Sequence, residues 1–302
     1  MLHDPGLLAD LRARPFSASS LELWIACPTK WFVERLLRPA RAEPEPEPLM
    51  RGGLAHAALR DTLQQLRERT GSARLTAASL EPARELLAQA LARHEGRFPL
   101  SLQPERLPGA RLRLAADLER YLRHCAEHES PFEPLHLELP FGFQDEDPDG
   151  LPPLELGAGL RLRGRIDRID IGPSGEAIVY DYKGASVSPA ARWLIDGKVQ
   201  LALYMRAAEE LLGLRVIGGF YQPLAGSDLR ARGAIDADAV PELDCVQTDR
   251  LPAPELAALR EHTIALARRA AREAMAGQIV PRPATCAYGG GCAHPAICRH
   301  GR

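Results

Sequence analysis

The chain has 302 residues, enough for one large domain or two small ones, with an ordinary globular balance of 45% hydrophobic and 26% charged residues. Its net charge of −2 predicts no global attraction to nucleic acid, so any basic binding site must be local. The apolar runs are too short for a transmembrane helix, and the N-terminal sequence lacks the apolar core of a signal peptide. We therefore expect a cytoplasmic protein without membrane contact, whose cysteines are free, catalytic or metal-bound.

Residues 17–38 have the pattern of two short helices. Pro28 interrupts the pattern, which places Cys27 at the joint between the two helices. Ser19 and Glu22 have the spacing of a capping box, so the first helix is predicted to begin at Ser19.

A Pro/Glu-rich stretch, RAEPEPEPLM, then predicts an extended and solvated linker. A long helical region is expected from Gly53 to about residue 127, with interruptions near residues 70–77 and in FPLSLQPERLPG. His56 lies one turn into this region, after a pair of glycines. A lone His on a helix is more often packed or exposed than metal-bound, so His56 by itself does not indicate a metal site.

The pattern changes to strands after residue 130. LHLELPFGF alternates apolar and polar residues, with Glu138 on the polar face, where it could be merely solvated. LELGAGLRLRGRIDRIDI, GPSG and EAIVYDYKG predict a β-hairpin, and a helix over about 190–213, a strand RVIGGFYQPL and a helix over about 253–276 follow. Helices before, within and after a strand cluster indicate an α/β sandwich around a mixed sheet.

The predicted hairpin brings two carboxylates together. A three-residue turn centred on Ser174, with Gly175 in the left-handed position, places Asp167 opposite Asp181, because the two are equally far from the centre. Lys183 lies on the same face as Asp181, two residues further along the strand. Opposed carboxylates repel one another unless a cation lies between them, and Mg²⁺ is the natural candidate.

A solvated sheet edge is the other interpretation of the hairpin. In that case Asp181 pairs with one of the nearby arginines: Arg161, Arg163, Arg165 or Arg168.

Only three of the 38 basic residues are Lys. In a chain that otherwise uses Arg, the Lys at position 183 suggests that a compact ammonium is needed there. Gln200 and Tyr204 lie four apart on one helical face, which by itself is a common arrangement at the edge of a core.

Four motifs in order, RGGLAHAAL, LRGRIDRID, YDYKG and QLALY, resemble the PD-(D/E)XK nuclease superfamily, most closely its RecB-type branch, which includes the C-terminal nuclease of AddB. The resemblance extends from about residue 17 to the end of the chain. It implies a restriction-endonuclease-like α/β/α sandwich with a mixed central sheet. It also implies four segments: N-terminal helices and linker (1–50), a helical part of the nuclease domain (51–130), the nuclease core (131–280) and a cysteine-rich tail (281–302).

The resemblance also implies an active site. Four residues are assigned to a Mg²⁺ or Mn²⁺ ion: His56, Asp167, Asp181 and, through its backbone carbonyl, Tyr182. Lys183 is expected to polarise the attacking water and to stabilise charge that develops on the phosphate. Gln200 and Tyr204 are expected to position Lys183 and the DNA backbone. Phosphodiester hydrolysis requires a deprotonated water, a Lewis acid and in-line alignment, which these residue types can provide.

Cysteines in the tail indicate a second metal site. The tail CAYGGGCAHPAIC contains three of them: Cys286, Cys292 and Cys298. Tetrahedral sulfur sites hold zinc or iron–sulfur clusters, and three cysteines need a fourth ligand. In the resembled branch an early cysteine, matched here by Cys27, completes a [4Fe–4S] cluster that links the two ends of the domain. The spacing AYGGG is longer than the family's usual two residues, and zinc with His294 or His300 as a ligand is the alternative.

The resemblance favours a metal-dependent DNA nuclease, in particular an exonuclease that acts on single strands or duplex ends in repair or recombination. The chain lacks a GxxxxGK[ST] loop and should not hydrolyse ATP, so a separate helicase partner is expected. A non-catalytic DNA-binding or scaffold subunit is the alternative, and it predicts a broken metal site. A zinc-stapled hydrolase of RNA remains open, because the motifs are specific for a phosphodiester and not for a sugar.

Overall fold

The computed structural model describes residues 1–39, 47–101, 103–157, 159–239, 243, 245–282, 286 and 294–298. Within these ranges the α-helices are α1 (Pro5–Ala13), α2 (Ala18–Ala26), α3 (Pro28–Trp31), α4 (Glu47–Thr70), α5 (Leu80–His94), α6 (Leu107–Glu127), α7 (Trp193–Asp196), α8 (Gln200–Leu212), α9 (Ala253–Met275) and α10 (Pro295–Cys298). The strands are β1 (Glu133–Phe141), β2 (Leu154–Glu155), β3 (Arg161–Leu162), β4 (Gly164–Ile171), β5 (Glu176–Lys183), β6 (Arg215–Pro223), β7 (Arg232–Asp236) and β8 (Arg250–Leu251). A π-helical turn covers Phe32–Leu37, and 3₁₀ turns cover Glu95–Arg97, Pro104–Arg106, Ala190–Arg192 and Gln247–Asp249.

Six strands form one mixed sheet in the order β1-β4-β5-β6-β7-β8, and β2 pairs with β3 in a separate ribbon. The pairs β1–β4, β4–β5 and β6–β7 are antiparallel, whereas β5–β6 and β7–β8 are parallel. α7 and α8 form the crossover between the parallel strands β5 and β6. Parallel neighbours require such a crossover, so the mixed sheet follows from the helix between them.

Helices cover both faces of the sheet. On one face, residues of α2, α8 and α9 share a buried cluster with Ile169 and Val179 of the hairpin. On the other face, α4, α5 and α6 pack together with Tyr182 and Leu224. This α/β/α arrangement confirms the predicted sandwich. Among the described residues, no helix has both the length and the apolar character needed to span a membrane.

The hairpin has the predicted register. Arg168 pairs with Tyr180 and Ile171 with Ala177, so the strands are symmetric about Ser174. Gly172 donates its N–H to the carbonyl of Glu176, which closes a three-residue loop. Gly175 has a φ of +82°, the left-handed conformation that glycine adopts without strain. The ladder ends at the Arg168–Tyr180 pair, and next to it the Asp167 carboxylate lies close enough to Asp181 to raise the pKa of Asp181.

The predicted break at Pro28 is confirmed, but the predicted capping box is wrong. Cys27 is extended between α2 and α3, with φ −162°. Ser17 is the N-cap of α2, because its hydroxyl accepts the N–H of Ser20. The Glu22 carboxylate instead accepts the N–H groups of Val199 and Gln200, at 2.9 and 3.2 Å. Glu22 therefore caps α8, a helix distant in the sequence.

α4 begins at Glu47, so the glycine pair lies inside this helix and not before it. The start of α4 also falls within the stretch predicted as a linker, while residues 40–46 of that stretch lie outside the described residues. A glycine inside a helix costs about 1 kcal/mol relative to alanine. At Gly53 the loss has a structural reason, because an added Cβ would lie 2.5 Å from a ring carbon of Phe98.

The N-terminal segment meets α9 and the residues that follow it. The N–H of Leu2 donates to the carbonyl of Gly277 at 2.8 Å. The indole N–H of Trp24 donates to the Glu273 carboxylate of α9 at 3.1 Å. Trp24 itself is buried, so the N-terminal helices share the core of the sandwich.

Candidate active site

Three side chains from three elements converge at one end of the hairpin. The Nδ1 atom of His56, from α4, lies 3.0 Å from Glu138 Oε1 of β1 and 3.5 Å from Asp167 Oδ1 of β4. One ligand atom from each of these residues lies within 4.8 Å of the others. Within the described part of the chain, this is the only group of three or more side chains suited to hold a metal ion.

Glu138 was missed as a site residue in the sequence. β1 pairs with β4 so that Leu137 and Leu139 face Arg168 and Ile166, which leaves Glu138 across from Asp167. Glu138 also has a φ of +51°, which is uncommon for a residue with a side chain. Its position on the polar face was visible in the sequence, but the pairing of β1 with β4 was not. The side chain is only 11% exposed, which argues against the alternative that Glu138 is merely solvated.

Asp181 forms an ion pair with the ammonium of Lys183. This finding contradicts the interpretation in which Asp181 pairs with an arginine at a solvated edge, since Asp181 is only 2% exposed. Burial and the neighbouring Asp167 carboxylate raise the pKa of Asp181 to about 7, against the opposing pull of Lys183. Asp181 lies near Asp167 but is not part of the group that Asp167 forms with His56 and Glu138.

The protonation of His56 depends on the two carboxylates beside it. Burial alone would lower the pKa of His56, but Asp167 and Glu138 raise the pKa to about 10. Without a metal, the ring is therefore an imidazolium that offsets the repulsion between two carboxylates. A divalent cation can take over that role, because metal binding at such a site displaces the proton.

Tyr182 supports the site through its backbone and its ring. Its N–H donates to Asp167 Oδ2 at 2.7 Å, which leaves Oδ1 directed at His56. The ring packs edge-on against His56, with 5.5 Å between the ring centres. The predicted ligand, the carbonyl of Tyr182, stays a prediction.

Lys183 is held from two sides. Its ammonium donates to Gln200 Oε1 at 3.0 Å and contacts Asp181. Gln200 is the first residue of α8, the helix that Glu22 caps. Tyr204 lies one turn further along, is buried, and has its hydroxyl within hydrogen-bonding reach of Gln200. The contact between Gln200 and Lys183 agrees with the expected positioning of the ammonium, and the roles of Gln200 and Tyr204 toward Lys183 and the DNA backbone stay predictions.

Residues 15–299 match the profile of the PD-(D/E)XK nuclease superfamily. The chain belongs to this superfamily. The match covers the four motifs quoted above and confirms the resemblance. The third motif is Asp181-Tyr182-Lys183 in this sequence. The carboxylate of Asp181 and the ammonium of Lys183 form an ion pair.

Three curated relatives are named as subunits of an ATP-dependent helicase/deoxyribonuclease. The protein from Moorella thermoacetica is 31% identical over 264 residues, which are 80% of this chain and 22% of the relative. The protein from Desulfitobacterium hafniense is 33% identical over 64% of this chain and 16% of its own length. The protein from Lacticaseibacillus casei is 33% identical over 60% of this chain and 16% of its own length. The chain thus spans about a fifth of these relatives or less.

The donor set of this PD-(D/E)XK site fits a hard divalent cation. Glu138 and Asp167 offer carboxylate oxygens, which both Mg²⁺ and Mn²⁺ accept, and His56 offers one imidazole nitrogen. The two carboxylates raise the pKa of His56, which shows that the negative charge of the group favours a bound cation. The residues present therefore fit the metal that the superfamily implies.

Two described residues of the cysteine-rich tail contact the helices on either side of Cys27. Arg282 donates to the carbonyl of Ile25, and His294 Nε2 lies 3.2 Å from the Glu34 carboxylate, so described tail residues contact both sides of Cys27. Cys292 and His300, both named as candidate ligands, lie outside the described residues. Among the described residues, the sulfurs of Cys27, Cys286 and Cys298 do not form a group as close as the His56 group.

Proposed function

We propose that this chain is a deoxyribonuclease that hydrolyses phosphodiester bonds with Mg²⁺ or Mn²⁺ bound by His56, Glu138 and Asp167. The observation that carries the proposal is the convergence of these three side chains beside the Lys183–Asp181 pair. A scaffold protein that had lost activity would have no need for this constellation, and the constellation is intact. Catalysis is therefore favoured over the non-catalytic alternative.

Each protein group has a definite task in this proposal. A bound divalent ion supplies a Lewis acid for a phosphate oxygen and lowers the pKa of a water molecule. Lys183, 36% exposed in its side chain, presents its ammonium to the substrate, where it stabilises charge that develops on the phosphate. Buried Asp181 and Gln200 fix the position of that ammonium. The N–H of Tyr182 fixes the orientation of Asp167.

The names of the relatives support the substrate and the partner. Those proteins are named helicase/deoxyribonuclease subunits, and this chain matches only a small part of each. We therefore propose DNA as the substrate, with exonuclease action on single strands or duplex ends in repair, and a helicase as the partner that supplies such ends. The cytoplasm remains the predicted location.

For the cysteines we propose a [4Fe–4S] cluster bound by Cys27, Cys286, Cys292 and Cys298. The support is that two described tail residues, Arg282 and His294, contact Ile25 and Glu34, which lie on either side of buried Cys27 in the sequence. The alternative is a zinc ion at the same place, with His294 or His300 as a ligand. Such a cluster supplies a covalent tie between the two ends of the domain.

Digestion of DNA tests the proposed activity. End-labelled linear and circular single-stranded DNA are incubated with Mg²⁺ or Mn²⁺ and either wild-type protein, Lys183→Ala or the control Lys30→Ala. We expect metal-dependent cleavage that Lys183→Ala reduces by roughly 10²- to 10⁴-fold, the usual range for a positioned proton-transfer or charge-stabilising group. Lys30→Ala should cleave like the wild type. Equal cleavage by Lys183→Ala, or no metal-dependent cleavage at all, would refute the proposal, and cleavage of the circle would identify an endonuclease.

A further inference from the structure

A cavity of about 350 Å³ opens beside the candidate metal group. Its lining includes Gly53 and His56 of α4, Glu138 of β1, and the neighbouring residues Arg97 and Phe98. This volume falls at the lower end of the range of about 300 to 1,000 Å³ that is typical of small-ligand sites, and it suits a single nucleotide.

Phe98 is built into the wall of this cavity. Gly53 and His56 are three residues apart and share one face of α4. The ring of Phe98 lies so close to Gly53 that an added Cβ would be 2.5 Å from it. The glycine, unfavourable in a helix, therefore admits an aromatic ring one turn away from a candidate metal ligand. The ring is half-buried, so part of its surface is left to line the cavity.

The cavity is also basic, although the whole chain is slightly acidic. Arg97 is exposed, lies 5.5 Å from the Phe98 ring centre, and makes no ion pair with any residue that the structure describes. Arg165 is 55% exposed at its side chain and approaches Glu138 at 3.9 Å. Arg60 completes the basic lining, although Asp61 binds it at 2.9 Å.

A second cavity of about 220 Å³ is lined by Lys183. Pro48, Gly52 and His56 line both cavities, so the two cavities adjoin at a candidate metal ligand. Proteins bind unpaired strands by combining basic side chains for the phosphates with aromatic rings for the bases. Both components lie on one side of the metal group here.

We infer that the larger cavity binds the unpaired nucleotide next to the scissile phosphate, with its base on Phe98 and a phosphate on Arg97. This inference rests on the proposed nuclease function and deepens it. A base inside a duplex is stacked and paired and has no face to offer Phe98. The site therefore selects a single strand or an unwound end, whichever its sequence.

Fluorescence anisotropy in EDTA tests the inference without cleavage. The probes are a short single-stranded oligonucleotide and an oligonucleotide of the same length without bases. Phe98→Leu should weaken binding of the first probe about 5- to 100-fold and leave binding of the second unchanged, because stacking requires a base. Phe98→Tyr, which keeps the ring, should restore binding. Arg97→Ala should weaken binding of both probes and reduce the salt slope by about 1.

The control is Arg69→Ala, which removes the same charge from the far end of α4, and circular dichroism confirms that each variant is folded. Wild-type-like binding by both Phe98→Leu and Arg97→Ala would overturn the inference. Equal losses of affinity for the two probes in Phe98→Leu would also overturn it, as would a wild-type protein that binds neither probe. Cleavage of the first probe with Mn²⁺ separates the two proposals. Binding that depends on Phe98 but is never followed by cleavage would refute the nuclease and support the nucleotide site.

Discussion

Glu138 has an unfavourable backbone conformation at the point where it meets His56 and Asp167. Non-glycine residues with a positive φ cost of order 1–3 kcal/mol and persist where the surroundings impose them. The Glu138 carboxylate lies 3.0 Å from His56 Nδ1. The unfavourable backbone angle of +51° therefore coincides with the candidate metal group.

Glu138→Gln should abolish metal-dependent cleavage while the fold is retained. The amide keeps the shape of the side chain but removes a charged ligand. We expect a loss of Mn²⁺ affinity larger than the roughly 10- to 100-fold that removal of an outer-shell partner typically causes. Calorimetric titration with Mn²⁺ measures this loss, and Glu155→Gln in β2 is the matched control. Unchanged affinity would remove Glu138 from the ligand set.

Behind the hairpin, Arg168 and Asp170 form a buried ion pair at 2.8 Å. Arg168 also donates to the hydroxyl of Tyr121 at 2.6 Å and stacks on the ring of Tyr180. Burial raises the pKa of Asp170 to about 6, against the pull of Arg168. The carboxyl group of Asp170 therefore holds its proton more tightly in the folded state than in the unfolded state. Its contribution to the stability of the protein is lost as the pH rises through the range between the unfolded pKa, about 4, and the folded pKa, about 6.

Asp170→Asn should remove this pH dependence. The neutral amide resembles the protonated acid, so the variant should resemble the wild type most closely near pH 4. Its free energy of unfolding, relative to the wild type, should then rise by about 2 kcal/mol between about pH 4.5 and pH 7. Urea unfolding at both pH values measures the difference. A variant that becomes relatively less stable at the higher pH would show that the ion pair with Arg168 outweighs burial.

At the scale of elements, α8 depends on a residue from α2. The Glu22 carboxylate accepts two N–H groups at the start of α8, where the positive end of the helix dipole favours a negative charge. Gln200, which holds Lys183, carries one of these N–H groups. The N-terminal helices therefore contribute to the position of the candidate catalytic lysine.

Glu22→Ala should destabilise the protein by about 1 kcal/mol, the usual cost of losing a helix cap. It should also lower kcat more than it changes KM, because Gln200 and Lys183 lose their fixed positions without losing contact with DNA. Steady-state cleavage and thermal unfolding measure both effects. Lys198→Ala, which removes only the partner of Glu22 at 3.4 Å, is the control. A variant with normal kcat would limit Glu22 to a structural role.

The hairpin could be predicted from the sequence because its register depends on a local turn. Gly175 and the flanking residues determine which side chains face one another, so Asp167 and Asp181 were placed correctly. Glu138 could not be found in this way, because its role depends on pairing between distant strands and on a rare backbone angle. Glu22 was misassigned because its carboxylate caps a distant helix and not its own.

At the scale of the whole molecule, the ends of the domain lie against each other. Leu2 bonds to Gly277, Trp24 bonds to Glu273, and the described tail residues contact the joint around Cys27. None of these contacts involves a residue of the candidate active site, so the proposed cluster would stabilise the fold and not take part in hydrolysis.

Cys27→Ser should remove the cluster and loosen the two ends of the domain. Protein purified without oxygen should be brown, with iron and sulfide near four each per chain in the wild type and much less in the variant. The midpoint of thermal unfolding should fall by at least about 5 °C, since 1 kcal/mol corresponds to about 2–4 °C in a chain of this size. Cys245→Ser is the control. Colourless wild-type protein that contains one zinc ion per chain would show that the cysteines bind zinc and not an iron–sulfur cluster.

The hydrogen bond between Leu2 and Gly277 has a consequence for synthesis on the ribosome. At about 5–20 residues per second, the 274 residues between the two partners take roughly 14 to 55 s to translate. During that interval α2 has been made, while α9, against which its buried Trp24 packs, has not. The apolar face of α2 is therefore exposed to chaperones and to neighbouring nascent chains until α9 emerges.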